Sequence, residues 1–515
     1  MQRLLTVFAL VASWALVAVV QSKERLGYNP TASFGLFSAS RNSNAGLYYW
    51  LRRSSAANAP VDSDILYLRL SWLDLVGEDG FDFSPIEKAL TEGGASARIA
   101  FRIFALNSCF SSYGGFDIPA AAAGEGSWIA PSSGADSVDC KNKRVLVPDW
   151  NSAAFISGAT QLIRELGSRY NGHRNVAFVE IGLVGDWGEW HLGSFPYCDL
   201  DWNRNRVRRP SEDLRRKIID EYVSAFPDTQ LLMLSDDVES LLYALSQNTR
   251  IPIGIRRDSW GSAQFNNSSL VTQWVFSDDA SVGGKCRMFG RLLSPELRPL
   301  IFERWKKAPV VVESFGGQFA RALPPSKLVD QVRNCKVSLI ANGSWGGAWS
   351  NLPGLYQAAI LDAGSQAGFH YAVSRTAVNS VGTKFELQTW WSNLGTAPTY
   401  EDWDVFVRVF DVRSQIYVAH LPLSLNLRMV FPRDSGSSCL EEVDVNGGAL
   451  RKVNDGQAVV DGFAGVLLPE LALGDYEVRI SVVKRGSSSR RMKLLLRNEN
   501  SDGSYTVGKL KVDGD

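Results

Sequence analysis

Eight short β-rich runs recur over the first 345 residues of this 515-residue chain, at 34–37, 65–72, 98–104, 176–182, 230–234, 253–257, 310–313 and 337–341. A segment with helical spacing follows each run, and this alternation constrains the fold more than any other feature. Between the runs, apolar residues recur every three or four positions, as in Phe155, Ala159, Leu162, Ile163, Leu166 and Tyr170, or Leu214, Ile218, Tyr222 and Val223. Ser84-Pro85-Ile86-Glu87 reads as a helix start, with a cap, a proline at the first helical position and a capping-box glutamate. Eight strands alternating with helices is the pattern that closes a parallel (β/α)8 TIM barrel, expected here over residues 27–370. Residues 105–148 are too long for a plain connector. They follow the third strand, which puts them on the barrel's catalytic face.

Beyond about residue 370 the pattern changes. Alternating or apolar runs at 385–391, 405–410, 416–421, 458–468, 476–483, 492–496 and 505–512 are separated by Gly, Asn, Asp, Pro and Ser, with no helical stretch between them. This predicts an all-β sandwich over residues 375–515.

At the N-terminus Arg3 precedes an apolar run from Leu4 to Val20, followed by Gln21-Ser22-Lys23. A basic start, an apolar stretch and short residues before a cut describe a secretory signal peptide over residues 1–22. The run is long enough that an uncleaved signal anchor is the alternative, and the one membrane contact expected. Both place the remainder outside the cell or in a lumen, where disulfides are permitted. Cys109 and Cys140 fall in one long loop and are expected to bridge, with Cys198, Cys286, Cys335 and Cys439 left open.

The charges balance at 54 Lys+Arg against 54 Asp+Glu, so no long-range field gathers nucleic acid or holds an anionic membrane. Four histidines leave little for a zinc site, and no metal or other cofactor is expected. Sixteen tryptophans are the compositional oddity: they require an unusually aromatic core or a surface that stacks on something flat.

Strand periodicity sorts the charges. With Leu66, Leu68 and Leu70 facing the helices, Tyr67, Arg69 and Ser71 turn inward; the third strand sends Arg98, Ala100 and Arg102 inward, and the fourth Phe178 and Glu180, with Ala177 outward. Buried charges need partners, so Arg69, Arg102 and Glu180 are expected to form an interior network. For Glu180 and Arg69 the role expected is to orient the upper layer. Arg102 stands between that role and a substrate contact.

The strongest local signal is Gly185-Asp186-Trp187-Gly188-Glu189-Trp190-His191, just past the fourth strand. Glycines permit a tight turn, and desolvation by Trp187 and Trp190 is expected to raise the pKa of Glu189 toward that of a general acid. The second signal is Val310-Val311-Val312-Glu313, a buried strand ending in a glutamate at the rim where barrel enzymes carry their chemistry. Two carboxylates from strands four and seven, roughly 5–10 Å apart, are what glycosidic bond cleavage needs. Either glutamate alone reads equally as a rim salt bridge. Other rim residues fit a sugar site: Asp186, Asp258 and Asn342 for hydroxyls, His191 as a hydrogen-bonding partner, and Trp187, Trp190, Trp260 and Trp345 for stacking. Asp236 reads equally as the cap of a helix beginning near Val238.

These same residues carry a resemblance. Asn29-Pro30 with Gly35-Leu36-Phe37, then YLRLSW, FDFSPIEKAL, GDWGEWH, IGIRRDSWG, PVVVESFGG, NLGTAPTY and LALGDYEVRISVV, resemble in order a domain-of-unknown-function family of the TIM-barrel glycoside-hydrolase superfamily. The resemblance covers nearly the whole chain past the signal segment and implies a barrel with a C-terminal β-sandwich. More distantly, VEIGLVGDWGEWH is similar to the β-amylase segment whose Gly-Glu pair supplies the general acid, which favours Glu189 over Glu180. The strand-four segment lacks the Asn-Glu pair of retaining clan-A glycosidases, so substrate and stereochemistry do not carry over. The expected function is a secreted glycoside hydrolase acting on an oligo- or polysaccharide, with Glu189 as acid and Glu313 as nucleophile or base. The alternative is a non-catalytic carbohydrate-binding or extracellular matrix protein on the same scaffold, and a glycan transferase is a third.

Overall fold

The computed structural model describes residues 46–50, 65–92, 98–108, 115–129, 144–192, 209–261, 298–314, 324–341, 353–381, 384–432, 441–442, 451–452, 462–487, 490–497 and 499–513. Eight parallel strands organise the first part: β1 Gly46–Trp50, β2 Ile65–Ser71, β3 Arg98–Phe104, β4 Val176–Glu180, β5 Leu231–Leu234, β6 Gly254–Trp260, β7 Val310–Ser314 and β8 Leu339–Ala341. Each pairs with its successor and β1 also pairs with β8, so the sheet curls into a TIM-barrel-like α/β domain. The expected strand at 34–37 lies outside the described residues. The strand that opens the sheet is the aromatic run Gly46–Trp50, whose lack of alternation gave periodicity nothing to detect.

Helices α1 Ser84–Glu92, α2 Ala153–Tyr170, α3 Glu212–Ala225, α4 Val238–Ser246, α5 Arg298–Phe302, α6 Pro325–Asn334 and α7 Gly354–Gln366 are interspersed with the strands. The apolar face of α2 read from its spacing is buried as expected. At α1 the cap differs: Asp82, not Ser84, supplies the carboxylate, accepting from the Ser84 amide at 2.8 Å and its hydroxyl at 3.0 Å. Glu87 instead accepts from the Tyr170 hydroxyl at 2.7 Å.

The sheet's outward residues Leu68, Leu70, Ile99, Phe101, Ile103, Val179 and Ile181 pack in one apolar cluster with α2 and α3. Inside the sheet lies a separate plug of Ile65, Tyr67, Ala100, Ala177, Phe178, Leu232, Val311, Leu339 and Ala341. Ala177 joins this interior, against its expected outward direction, because the β3/β4 register shifts between Ile99 and Ala100 and breaks the alternation there.

Past two short antiparallel pairs in the first part, at Val76–Gly77 with Gly80–Phe81 and Ser127–Ile129 with Val145–Val147, the antiparallel sheets of a β domain begin at Tyr371. One sheet runs β9 Tyr371–Val381, β10 Lys384–Asn393 and β13 Gly462–Leu467; the other runs β12 Ile416–Leu423, β11 Trp403–Asp411, β14 Gly474–Lys484 and β15 Tyr505–Val512. Their inward residues share a core that includes Trp391, Val407, Val478 and Ile480. The expected strand at 492–496 is not one: Met492 and Leu494 are buried, but the segment runs without a ladder. This β domain attaches where the parallel strands begin. Arg98, which opens β3, pairs with Glu401 at 3.2 Å, and the Val337 carbonyl, just before β8, accepts from Gly368 N–H at 2.9 Å and Thr396 Oγ1 at 2.5 Å. Tyr400 donates to the Trp305 carbonyl at 2.7 Å, and the Trp305 ring meets Phe431 edge-on at 5.6 Å. Among the described residues no helix is long and apolar enough to cross a membrane.

Candidate active site

Alternation along the strands builds the site in layers. Two residues beyond four members of the apolar plug stands a charge: Tyr67 is followed by Arg69, Ala100 by Arg102, Phe178 by Glu180 and Val311 by Glu313. Gly254 occupies the plug level of β6, where a Cβ would come within 2.6 Å of Leu232 Cδ2, and Arg256 follows it. Glu189 joins from the loop after β4. Three guanidinium groups thus meet three carboxylates at the C-terminal ends of the strands.

Their pairing is dense. Arg102 reaches Glu180 Oε2 at 2.8 Å and Glu189 Oε1 at 2.5 Å. Arg69 Nη2 bridges Glu313, at 2.8 and 3.2 Å to its two oxygens, and Glu189 Oε1 at 3.2 Å. Arg256 pairs with Glu180 Oε1 at 3.0 Å and with Glu313. The Tyr67 hydroxyl donates to Glu180 Oε2 at 2.7 Å, and burial beside that carboxylate pushes the phenol up to about 12. Ligand oxygens of Glu189, Asp258 and Glu313 all lie within 4.8 Å of one another. That spacing would suit a hard divalent cation. Arg69 and Arg256 already bring positive charge to all three carboxylates, Arg256 standing 3.8 Å from Asp258 Oδ1, so the set works as a carboxylate cluster neutralised by arginine.

The loop that carries Glu189 is strained and tied down. Leu183, Trp187 and Trp190 adopt φ of 71°, 54° and 62°, a left-handed conformation that non-glycine residues rarely take. Asp186 N–H donates to the His191 carbonyl at 2.7 Å and Trp190 N–H to Val184 at 3.0 Å. The long connection after β3 braces it from outside: Leu106 O accepts from Trp187 N–H at 2.8 Å, Asn107 Oδ1 from the Trp187 indole at 2.8 Å, and Ser108 N–H donates to Asp186 Oδ1 at 2.9 Å.

The expected rise in the pKa of Glu189 is reversed. Burial does push it upward, but Arg102, Arg69, the His191 hydrogen bond and Arg256 together hold this carboxyl well below the usual range. His191 stands 3.3 Å from Glu189 Oε2; burial pulls its imidazole down, yet Glu189, Asp236 and Asp186 carry it up to about 9. Asp236, buried just past β5, is pushed up to about 6 by burial and by Asp258 and Glu189, against the pull of His191 and Arg257.

Of the residues expected at this rim, Glu189, Glu313, His191 and Asp258 come together. Trp187 lies beside them, its ring edge-on to His191 at 5.8 Å and only partly buried. Four others are corrected. Arg102 is fully buried with its terminal nitrogens on Glu180 and Glu189, which is the network side of the two roles expected of it. Asp186 is fully buried and fixes the loop. Trp190 packs in the main core, its indole donating to the Ile181 carbonyl at 2.7 Å, and Trp260 packs on the helix side of the sheet with Val310, Val312 and Ile340. Asp236 does not cap α4, whose N-cap is Asp237. Asn342, Trp345 and the Cys109–Cys140 pair lie outside the described residues. Arg256 was not foreseen in the network, although Ile255 facing the core sends it inward by the same alternation.

No family model and no curated protein matches the chain. Solved structures similar to it include endo-glycoceramidase II from Rhodococcus sp. in a cellobiose-like imidazole complex, at TM-score 0.39 and 10% identity over 84% of this chain and 99% of that one. They also include xylanase XynB from Paenibacillus barcinonensis, at TM-score 0.31 and 10% identity over 63% and 97% of the two chains. A third is a GH27 β-L-arabinopyranosidase from Geobacillus stearothermophilus, at TM-score 0.28 and 10% identity over 83% and 89%. Similarity at this level leaves the chemistry to be read from this chain's own side chains.

Proposed function

We propose that the protein is a glycoside hydrolase in which Glu313 is the nucleophile and Glu189 the acid and then base. The observation that carries this is the approach of their carboxylate oxygens to within 4.8 Å at the strand ends. Carboxylates whose oxygens approach within 4.8 Å suit the double-displacement route, since they leave no room for a water between carboxylate and sugar. Arg69 and Arg256 aim Glu313 at the anomeric carbon. Its oxygen forms the ester bond as the glycosidic C–O bond breaks and Glu189 protonates the departing oxygen; Glu189 then takes a proton from the water that cleaves the ester. Asp258 lies at the same cluster to accept from a hydroxyl, and the partly open Trp187 offers a stacking face.

The test is a panel of chromogenic glycosides and glycans with wild type, Glu189→Gln and Glu313→Gln. Each substitution is expected to lower kcat by about 10²–10⁴-fold or more with the fold intact by circular dichroism. Full activity in either variant overturns the assignment.

A second reading, a non-catalytic carbohydrate-binding or matrix protein, is favoured by one observation: the three glutamates are so fully neutralised by arginine that Glu189 carries no proton at rest. Binding without turnover in wild type and Glu189→Gln alike would establish it. Residence outside the cell or in a lumen, and the family resemblance across 27–370 and 375–515, belong to the same proposal. N-terminal sequencing of the mature protein, expected to begin just after Ser22, tests the first.

A further inference from the structure

An acid needs a proton, and the site keeps Glu189 ionised. Its two oxygens face different neighbours: Oε1 is taken by Arg102 at 2.5 Å and Arg69 at 3.2 Å, while Oε2 faces His191 Nε2 at 3.3 Å. Guanidinium groups do not release protons near neutrality, whereas an imidazolium does. The imidazole is sheltered, with its side chain 14% exposed and the edge of Trp187 against it.

We propose that His191 is the proton store for Glu189, the two forming one acid that carries a single proton; this rests on the glycosidase reading above. At rest the proton is on His191 Nε2. When a glycosidic oxygen enters, the proton passes to Glu189 Oε2, leaving a neutral imidazole, and then to the leaving oxygen as the C–O bond breaks. In the second half-reaction the proton released by water returns through Glu189 to His191. The charges around the imidazole are arranged to hold that proton: Glu189 and Asp186 on its own loop and Asp236 beyond β5 favour the charged ring. Arg69 on β2, Arg102 on β3 and Arg256 on β6 lie on the far side of Glu189, paired with its Oε1. Two groups coupled this closely titrate as a pair, so the basic limb of activity belongs to the dyad and is expected near 9. His191 acts through Glu189 and is a positioning residue.

The test uses the full chain carrying His191→Gln, which keeps an N–H toward Glu189 but has no proton to give. On alkyl glycosides, which need the acid, kcat/KM is expected to fall about 10²-fold. The fall on 2,4-dinitrophenyl glycosides, which need none, is expected to be at least about tenfold smaller. The basic limb is expected to move to lower pH. Equal losses on both substrate classes, or an unmoved limb, overturn the proposal. If wild type cleaves no glycoside, the glycosidase reading fails by itself and the pair is read directly from the imidazole resonances of ¹⁵N-labelled protein. The His191 signal, assigned by its loss in His191→Gln, should titrate well above the ordinary 6.5 in wild type and fall in Glu189→Gln. An unchanged His191 titration in Glu189→Gln overturns the pairing.

Discussion

Glu180 sits in the network without a vacancy around it. Both of its oxygens are engaged, by Tyr67 and Arg102 on one and Arg256 on the other, and it is fully buried. Replacing it with alanine takes from Arg102 and Arg256 one of the carboxylates each is paired with, leaving Glu189 and Glu313, so Glu180→Ala is expected to lose about 3 kcal/mol in urea denaturation. A loss below about 1 kcal/mol would mean that Glu189 and Glu313 suffice to neutralise Arg102 and Arg256. Alternation alone made Glu180, Arg69 and Arg102 legible as inward charges, because a strand buried on both faces still sends every second side chain the same way. The protonation state of Glu189 was not legible. Its countercharges come from β2, β3 and β6, up to 120 residues away in sequence, and only folding makes them outweigh burial. Nor could composition tell Trp187 from Trp190. Both indoles follow a glycine-rich turn, and which one is buried depends on backbone conformations that residue type does not encode.

The element that holds the proposed acid is the loop between β4 and α3. Gly185 has φ 83° and ψ −177°, a conformation open essentially to glycine alone, and a Cβ there would lie 2.6 Å from the His191 carbonyl oxygen and 2.7 Å from its nitrogen. Gly185→Ala must therefore push away the backbone that holds both His191 and Glu189. The expected cost is about 1–3 kcal/mol of stability. A shifted His191 imidazole resonance should accompany it, with unchanged far-ultraviolet circular dichroism. A variant with the wild-type His191 titration and wild-type stability would show that the turn relaxes without moving the acid. The sequence marked this loop through its glycines and clustered aromatics. It could not mark the left-handed turns at Leu183, Trp187 and Trp190, where tertiary bonds to Ile103, Leu106 and Ile181 override local preference.

At the scale of the whole molecule, the β domain and the carboxylate cluster occupy opposite ends of the parallel strands. Arg98, Trp305 and Val337 receive the β domain where strands begin, while Glu189, Asp258 and Glu313 converge where strands end. Among the described residues the β domain meets the end of the sheet where the strands begin, a division that the two textures of the sequence suggested only as adjacency along the chain. Its electrostatic anchor is Glu401, which meets Arg98 at 3.2 Å, Lys484 at 2.5 Å and Arg490 at 3.6 Å. Burial favours the neutral acid, but Arg98, Lys484 and Arg490 prevail and lower its pKa from 4.5. Because the folded value is the lower one, the anchor's contribution is complete above 4.5 and is lost as pH falls through the folded value. Glu401→Ala is accordingly expected to lose about 3 kcal/mol at pH 7, and the gap to wild type should narrow as denaturation is repeated below about pH 4. A gap that stays constant on acidification would assign the loss to packing around Glu401, leaving its charge without a part in joining the two domains.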